Sequence, residues 1–313
     1  MKNSSKQSVK MDMLHGSLFD KMLMFAMPLA ACSILQQLFN SVGTAVVGRF
    51  ASSEALAAVG SNSSVIALMV TLFSGISLGS NVVIANYIGQ NDTKRIPRVV
   101  HTAVSLALLS GVFLLILGQF VAHPILLLMG APKDIIHLAT LYLRIYFLGM
   151  PFFMLYNYGA AILRAVGDTK RPLLFLIISG ATNVVLNLLL VIQFHLGVAG
   201  VAIATVISQC ISCILVLRCL YLSDGSYQLR FNKLGMKTRY VKQIFQIGIP
   251  AGIQSTIINF SNVLLQSSVN SFGSVAMAGY TAANNILGFL YVSVNSITQA
   301  CICLLYTSDA ADE

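Results

Sequence analysis

Charge is scarce in this chain. Only 9% of its 313 residues are Asp, Glu, Lys or Arg, and tryptophan is absent. So few charges cannot cover the surface of a soluble protein of this size and keep it monodisperse, which excludes an ordinary soluble class. The short apolar–polar alternation of a transmembrane barrel is missing too. Six cysteines (Cys32, Cys210, Cys213, Cys219, Cys301 and Cys303) lie in or beside apolar runs, which excludes a disulfide framework. Cys210 and Cys213 share a helix face, but no His or second Cys pair completes a metal set, so they read as packing residues. The charged island "RAVGDTKRPLL" (164–174) lacks the Gly-rich spacing that a phosphate loop needs ahead of its lysine. No nucleophile–base set is present either. The chain therefore reads as a non-enzyme with no metal site and no cofactor.

Long apolar runs fill the sequence instead. It is 57% hydrophobic, and uncharged stretches of 27, 37, 34, 46 and 66 residues begin at positions 22, 55, 99, 172 and 243. A helix needs roughly 20 apolar residues to cross a bilayer core, so the shorter runs hold one span and the two longest hold two. "QFHLGVAG" (193–200) and "NSFGSVA" (270–276) supply the dividing turns, with Gly197 and Gly200 as stop and restart signals. Eight spans follow, near 22–47, 55–88, 99–121, 136–160, 172–193, 199–218, 243–269 and 276–301. The fold class is an all-α polytopic membrane protein.

Basic residues orient the spans. Sixteen of the 19 precede the first span or follow the second, fourth and sixth; only Arg49 and Lys133 fall on the other side, and Arg144 lies within the fourth span. The positive-inside rule then makes the amino terminus cytoplasmic, in an inner or plasma membrane. The net charge of +9 reflects this topology, and no nucleic-acid partner is expected. The island at 164–174 becomes a cytoplasmic hairpin: Gly167, Asp168 and Thr169 make the turn, and Pro172 opens the next helix where no amide donor is needed.

An internal repeat sets the domain organisation. "MPLAACSILQQLFNSVGTAVVGRFAS" (27–52) aligns with "IPAGIQSTIINFSNVLLQSSVNSFGS" (249–274), matching Pro28, Ser33, Asn40, Val47, Phe50 and Ser52 to Pro250, Ser255, Asn262, Val269, Phe272 and Ser274. A seventh span that restarts the pattern of the first implies a duplicated six-helix unit in parallel orientation. The expected divisions are a cytoplasmic segment (1–20), a first six-helix lobe (21–220), a cytoplasmic linker (221–242) and the first two helices of a second lobe (243–302). The closing "CLLYTSDAADE" (303–313) is readable from the codons of a transposase-based sequencing adapter and is taken as a non-native tail, with the native frame cut near Ile302.

Three ordered motifs then carry a resemblance. "VVGRFASSEALAAVG" (46–60), "LRAVGDTKRPL" (163–173) and "ATNVVLNLLLVIQFHLGVAGVAIATVISQ" (181–209) together resemble the multidrug and toxic compound extrusion (MATE) transporters, over essentially residues 15–302. The resemblance implies twelve helices in two lobes, alternating access, and export of organic cations in exchange for H⁺ or Na⁺. It also implies small organic cation substrates, a bilayer environment and a monomer when complete. Two other functions remain open at this point: a lipid-linked saccharide flippase of a related superfamily, which calls for a cationic cleft, and a non-transporting membrane protein, which calls for a large extramembrane domain.

The sequence departs from the family's pattern where ions are coupled. Gly43 and Asn187 occupy positions that are often acidic in the family, whereas Asn183 matches. The native carboxylates (Asp12, Asp20, Glu54, Asp92, Asp134, Asp168 and Asp224) all fall outside the spans or at their ends. An intramembrane acid is the usual switchable handle for a proton or sodium ion. Its absence here places the coupling carboxylate outside residues 1–302. Neutral polar groups do occur within the spans: Gln36 and Asn40 on the first, Asn183 and Asn187 on the fifth, Gln209 on the sixth, Asn259 and Asn262 on the seventh. They must avoid lipid, so they either bond other helices or line a substrate cavity. Tyr156 is a further cavity candidate. Met154 could line the same cleft or simply pack.

Overall fold

The computed structural model describes residues 18–50, 53–128, 133–223 and 225–270, with isolated positions between 287 and 301. Most of the eighth expected span and the segments 1–17 and 303–313 lie outside the described residues. Among those described, every long element is a helix: α1 (Leu18–Phe50), α2 (Ser53–Gly89), α3 (Ile96–Leu128), α4 (Lys133–Leu148), α5 (Met150–Ala165), α6 (Lys170–Leu188), α7 (Gly197–Tyr221) and α8 (Thr238–Asn270). Five of these are long and apolar enough to cross a membrane, or six when α4 and α5 count as one broken span. The fold is thus all-α and multi-pass, as the composition requires.

The boundaries depart from expectation at three places, each with a local cause. The expected fourth span is not one helix: it breaks at Gly149 and turns by 49° between α4 and α5. Pro151 stands at the start of α5, where it lacks the N–H that would continue the α4 ladder. The fifth span ends in a π-helical turn, Leu189–Gln193, after which His195 and Gly197 take the left-handed conformation, at φ 53° and 51°. Finally, α1 and α8 begin before the expected first and seventh spans, at Leu18 and Thr238, so Pro28 and Pro250 stand far from their openings. Each lies well inside a 33-residue helix, α1 and α8 respectively, so the two aligned segments both carry proline in a helix interior.

The core forms around α2, which packs against α3, α4, α5 and α8. Two of its asparagines fasten the broken span. Asn62 donates from Nδ2 to the Ala139 carbonyl of α4 at 2.9 Å, and Asn81 donates to the Ala161 carbonyl of α5 at 2.8 Å. One helix therefore holds both halves of the bend.

On its other side α2 meets α8 backbone to backbone. Gly75 and Gly79 face Gly248 and Gly252, four residues apart on each helix. A Cβ on Gly248 would stand 2.6 Å from the Ile76 Cα, one on Gly252 would stand 2.6 Å from the Leu72 carbonyl oxygen, and one on Gly75 would strike Gly252 itself. The neighbours are main-chain atoms and cannot rotate away. This is the small-residue contact that membrane helices use where water supplies no hydrophobic drive between them. Replacing Gly248 with Val must force α2 and α8 apart, at a cost of about 1–3 kcal/mol by the usual measure of overpacking. We expect a lower unfolding midpoint in detergent for G248V, and no change for G235A, where a Cβ meets nothing within 4 Å. Equal midpoints for the two variants would show that the close approach is not needed.

Candidate functional site

The candidate site lies where α1, α6 and α7 meet. α6 comes close to α1 because Gly180 leaves room for the Phe39 ring, and this brings the middle of α6 against the glycine at position 43. Asn183 and Asn187 stand one turn apart on that part of α6, so their side chains share a face.

Their hydrogen bonds run in one direction. Asn187 donates from Nδ2 to Oδ1 of Asn183 at 3.0 Å, Asn183 donates from Nδ2 to Oγ of Ser208 at 3.3 Å, and Ser208 donates on to the Thr205 carbonyl of α7 at 2.8 Å. Asn187 is only 1% exposed, and its own Oδ1 is buried without a partner. Gly43 completes the arrangement, because a Cβ there would sit 3.5 Å from Nδ2 of Asn187. A side chain at 43 would thus reach the amide directly, whereas glycine leaves that amide to Asn183 alone. Every group in the relay is neutral. It can orient dipoles and offer one desolvated carbonyl oxygen, but it cannot exchange a proton near neutral pH.

Gln209 follows Ser208 on α7 and approaches the break in the fourth span. Its Oε1 is buried and unpartnered, and a Cβ on Gly149 would collide with it. Glycine at 149 is therefore what lets Gln209 lie against the bend.

The remaining candidates are placed elsewhere. Tyr156 is half-buried and donates its hydroxyl to the Pro172 carbonyl at 3.4 Å, joining α5 to the start of α6. Eleven residues of α6 separate Pro172 from Asn183, about 16 Å along the axis. Asn259 binds Oγ1 of Thr71 at 2.9 Å and its own Ser255 carbonyl at 3.1 Å, so it clasps α8 to α2. Gln36 and Asn262 are exposed, and the side chain of Asn40 lies outside the described residues. Met154 is fully buried and packs in the core. Arg144 is exposed on α4, with Gln119 bonded to its backbone carbonyl at 2.9 Å. Among the described residues no group of three His, Cys, Asp or Glu side chains could hold a metal ion.

Sequence reasoning missed three contributors: Ser208, Asn62 and Asn81. The rule that flagged Asn183 also covers asparagines within the second apolar run, and applied there it would have found the α2 pair. Ser208 carried no such signal, since serines bond their own helix as readily as a neighbour.

Two carboxylates have defined structural work. Asp92 accepts from the Lys94 and Arg95 amides at 3.2 and 3.0 Å and pairs with the Arg95 guanidinium at 3.1 Å. Asp168 accepts from the Arg171 amide at 3.1 Å and pairs with that guanidinium at 3.2 Å. Both sit in turns between helices, away from the relay.

Comparison with known proteins agrees with this architecture. The family model MatE matches residues 28–189. A probable multidrug resistance protein of Bacillus subtilis, YoeA, is 32% identical over the whole chain, which spans 69% of that protein. A second from the same organism, YpnP, is 28% identical over 88% of the chain and 61% of its own length. A solved structure described as the outward-facing conformation of a multidrug resistance MATE family transporter of the MOP superfamily superposes with a TM-score of 0.89. That match is at 23% identity and covers 98% of this chain and 68% of the other. The chain therefore spans about two thirds of the length of the proteins it matches. By the family model and the identity to YoeA, this chain belongs to the MATE family of multi-pass membrane transporters.

Proposed function

We propose that the protein is a secondary active exporter of amphipathic organic cations, working by alternating access in exchange for H⁺ or Na⁺ and acting as a monomer. The supporting observation is the buried Asn187–Asn183–Ser208 relay, which ends in an unpartnered amide oxygen within a first lobe of this fold. A desolvated carbonyl dipole favours a weakly hydrated cation and gives an anion nothing. The names of YoeA and YpnP, both probable multidrug resistance proteins, point the same way. A flippase for anionic lipid-linked saccharides finds less support, because Arg144, the basic residue within the fourth span, is exposed on α4.

In this reading the relay contacts substrate, and the charge switch lies elsewhere. Asp92 and Asp168 are committed to turn amides and arginines, so neither is free to alternate between ion and substrate. The orientation follows the charge bias. The amino terminus, the 92–95 turn and the 168–171 turn face the cytoplasm, and Lys133 faces outward.

Ethidium efflux driven by an imposed proton or sodium gradient, in vesicles carrying the full-length protein rather than residues 1–302 alone, tests the function. Efflux against the ethidium gradient is expected, and Asn187→Ala should raise the apparent KM about fivefold, the equivalent of one lost hydrogen bond of ordinary strength. Gradient-driven efflux should survive in Glu54→Gln, Asp92→Asn, Asp134→Asn and Asp168→Asn at matched expression. Absence of driven efflux in the unmodified protein would overturn the exporter reading, and uncoupling in any single amide variant would place the switch on that residue.

The orientation is read separately with an impermeant maleimide on a cysteine-free background. Intact cells should label a cysteine at Lys133 and leave one at Lys170, exposed at the start of α6, unlabelled until the membrane is opened. The opposite pattern would invert the topology.

A further inference from the structure

The linker between α7 and α8 does not cap the end of the bundle. Tyr227 and Leu229 are buried in the core, and the Leu229 amide donates to the Leu220 carbonyl at 3.0 Å. The Arg230 amide then donates to Nε2 of His101 at 3.1 Å, while Nδ1 of the same ring bonds the Pro97 carbonyl. Thr102 also contacts the Gly235 carbonyl, at 3.5 Å. These bonds hold residues 227–235 against the second turn of α3.

The face of α3 that the linker covers is informative. His101 and Thr102 are buried, yet Leu108 and Leu109 lie seven residues further on, two turns along the same face, and are exposed. Val112, Phe113, Ile116 and Phe120 continue that outward apolar stripe. In a multi-pass protein such a stripe faces acyl chains. The linker thus lies on the lipid-facing side of the bundle, about 10 Å before the stripe begins, at the depth of the boundary between headgroups and chains.

Its own outward surface has two characters. Tyr221 and Phe231 stack with ring centroids 5.9 Å apart and remain half-exposed, and Leu222, Leu234 and Met236 are exposed beside them. Around these stand the exposed cations Arg230, Lys233, Lys237 and Arg239. From Arg218 to Lys242 the sequence carries six basic residues and one acid, Asp224. A soluble partner would not require an apolar wedge level with the acyl boundary. An anionic leaflet fits both halves, with rings and aliphatic chains entering the boundary and cations meeting phosphates.

We propose that this linker is a membrane-surface element that docks its Tyr221–Phe231 face and its basic rim onto anionic phospholipid of the surrounding leaflet. Each cation at such a surface strengthens attachment about fivefold, so the rim is sensitive to lipid composition and to salt.

The absence of tryptophan makes the test direct, because F231W or L234W introduces the only indole in the protein. The protein carrying either reporter would be reconstituted in vesicles of phosphatidylcholine alone, or of phosphatidylcholine mixed with phosphatidylglycerol. A fraction of the lipid would be brominated high on the acyl chain. Blue-shifted emission and strong quenching are expected in the mixed vesicles, with weaker quenching in phosphatidylcholine. The anionic-lipid increment should vanish in a K233E/K237E/R239E background and diminish in high salt. Water-like, unquenched emission from both reporters would overturn the proposal. So would quenching of equal strength in the two lipids, since that would leave no role for the charges.

Discussion

Helices in a bilayer gain nothing by hiding apolar surface from one another, because lipid is as apolar as leucine. They associate through close packing and through hydrogen bonds between helices, and in this protein both converge on α2. One face of α2 offers Gly75 and Gly79 to Gly248 and Gly252 of α8 so closely that backbone meets backbone. Other parts of it offer Asn62 and Asn81 to carbonyls of α4 and α5. The asparagines bind both halves of the broken span to α2, and the glycines bind α8 to it. Asn259 of α8 adds a bond to Thr71 beside the glycine contact, so a polar clasp reinforces the seam. Any motion of α8 against α2 must act on this seam, where small residues permit sliding but no added volume.

The two turns that carry Asp92 and Asp168 repeat one device. The tetrapeptide Asp-Thr-Lys-Arg occurs at 92–95 between α2 and α3, and again at 168–171 between α5 and α6. Each copy is preceded by a residue in the left-handed conformation, Asn91 at φ 54° and Gly167 at φ 84°. In each, the aspartate accepts from the arginine amide three residues on and pairs with its guanidinium. A carboxylate at the start of a helix is favoured by the free amides there, and the arginine fixes its rotamer. The same four residues thus stop one helix and start the next at two hairpins. The charged island at 164–174 is one instance of a repeated turn, a role that accounts for its charges without any chemistry.

Much of the fold was legible in the sequence because the bilayer writes it in long runs. The turns at 193–200 and the hairpin at 164–174 follow from charge spacing and turn residues, and helices end and begin there. Of the eight expected spans, five or six are long and apolar enough to cross a membrane among the described residues, and α8 is not one of them. The break at Gly149 did not follow. Its signals, Gly149 and Pro151, are ordinary within membrane helices, where both residues are tolerated without a 49° turn. The candidate site was legible in half. Asn183 and Asn187 announced themselves by spacing and polarity, but nothing local told them apart from Asn259, which bonds α2, or from Asn262, which is exposed. Which neighbour an intramembrane amide meets is a property of helix packing, and one helix's own periodicity does not contain it.

The two departures from the family's acidic pattern make physical sense only together. Gly43 and Asn187 face each other closely enough that a Cβ at 43 would touch the Asn187 amide. A carboxylate at 43 beside Asn187 would take the amide hydrogens now given to Asn183, leaving Asn183 short of a donor and placing one net charge in a dry site. A carboxylate at 187 with glycine at 43 would lose the donor that starts the relay and would again leave one buried charge with no partner close by. Either single change carries the penalty of an uncompensated intramembrane charge, whereas glycine with asparagine removes the charge from both positions and keeps the relay intact. One unpartnered oxygen remains, on Asn187, at the ordinary cost of a lost hydrogen bond, about 1–3 kcal/mol. A lobe arranged this way recognises by shape and by the direction of its dipoles. On the proposed reading it holds substrate passively, and the group that changes charge during transport acts on it through the helices packed against α2.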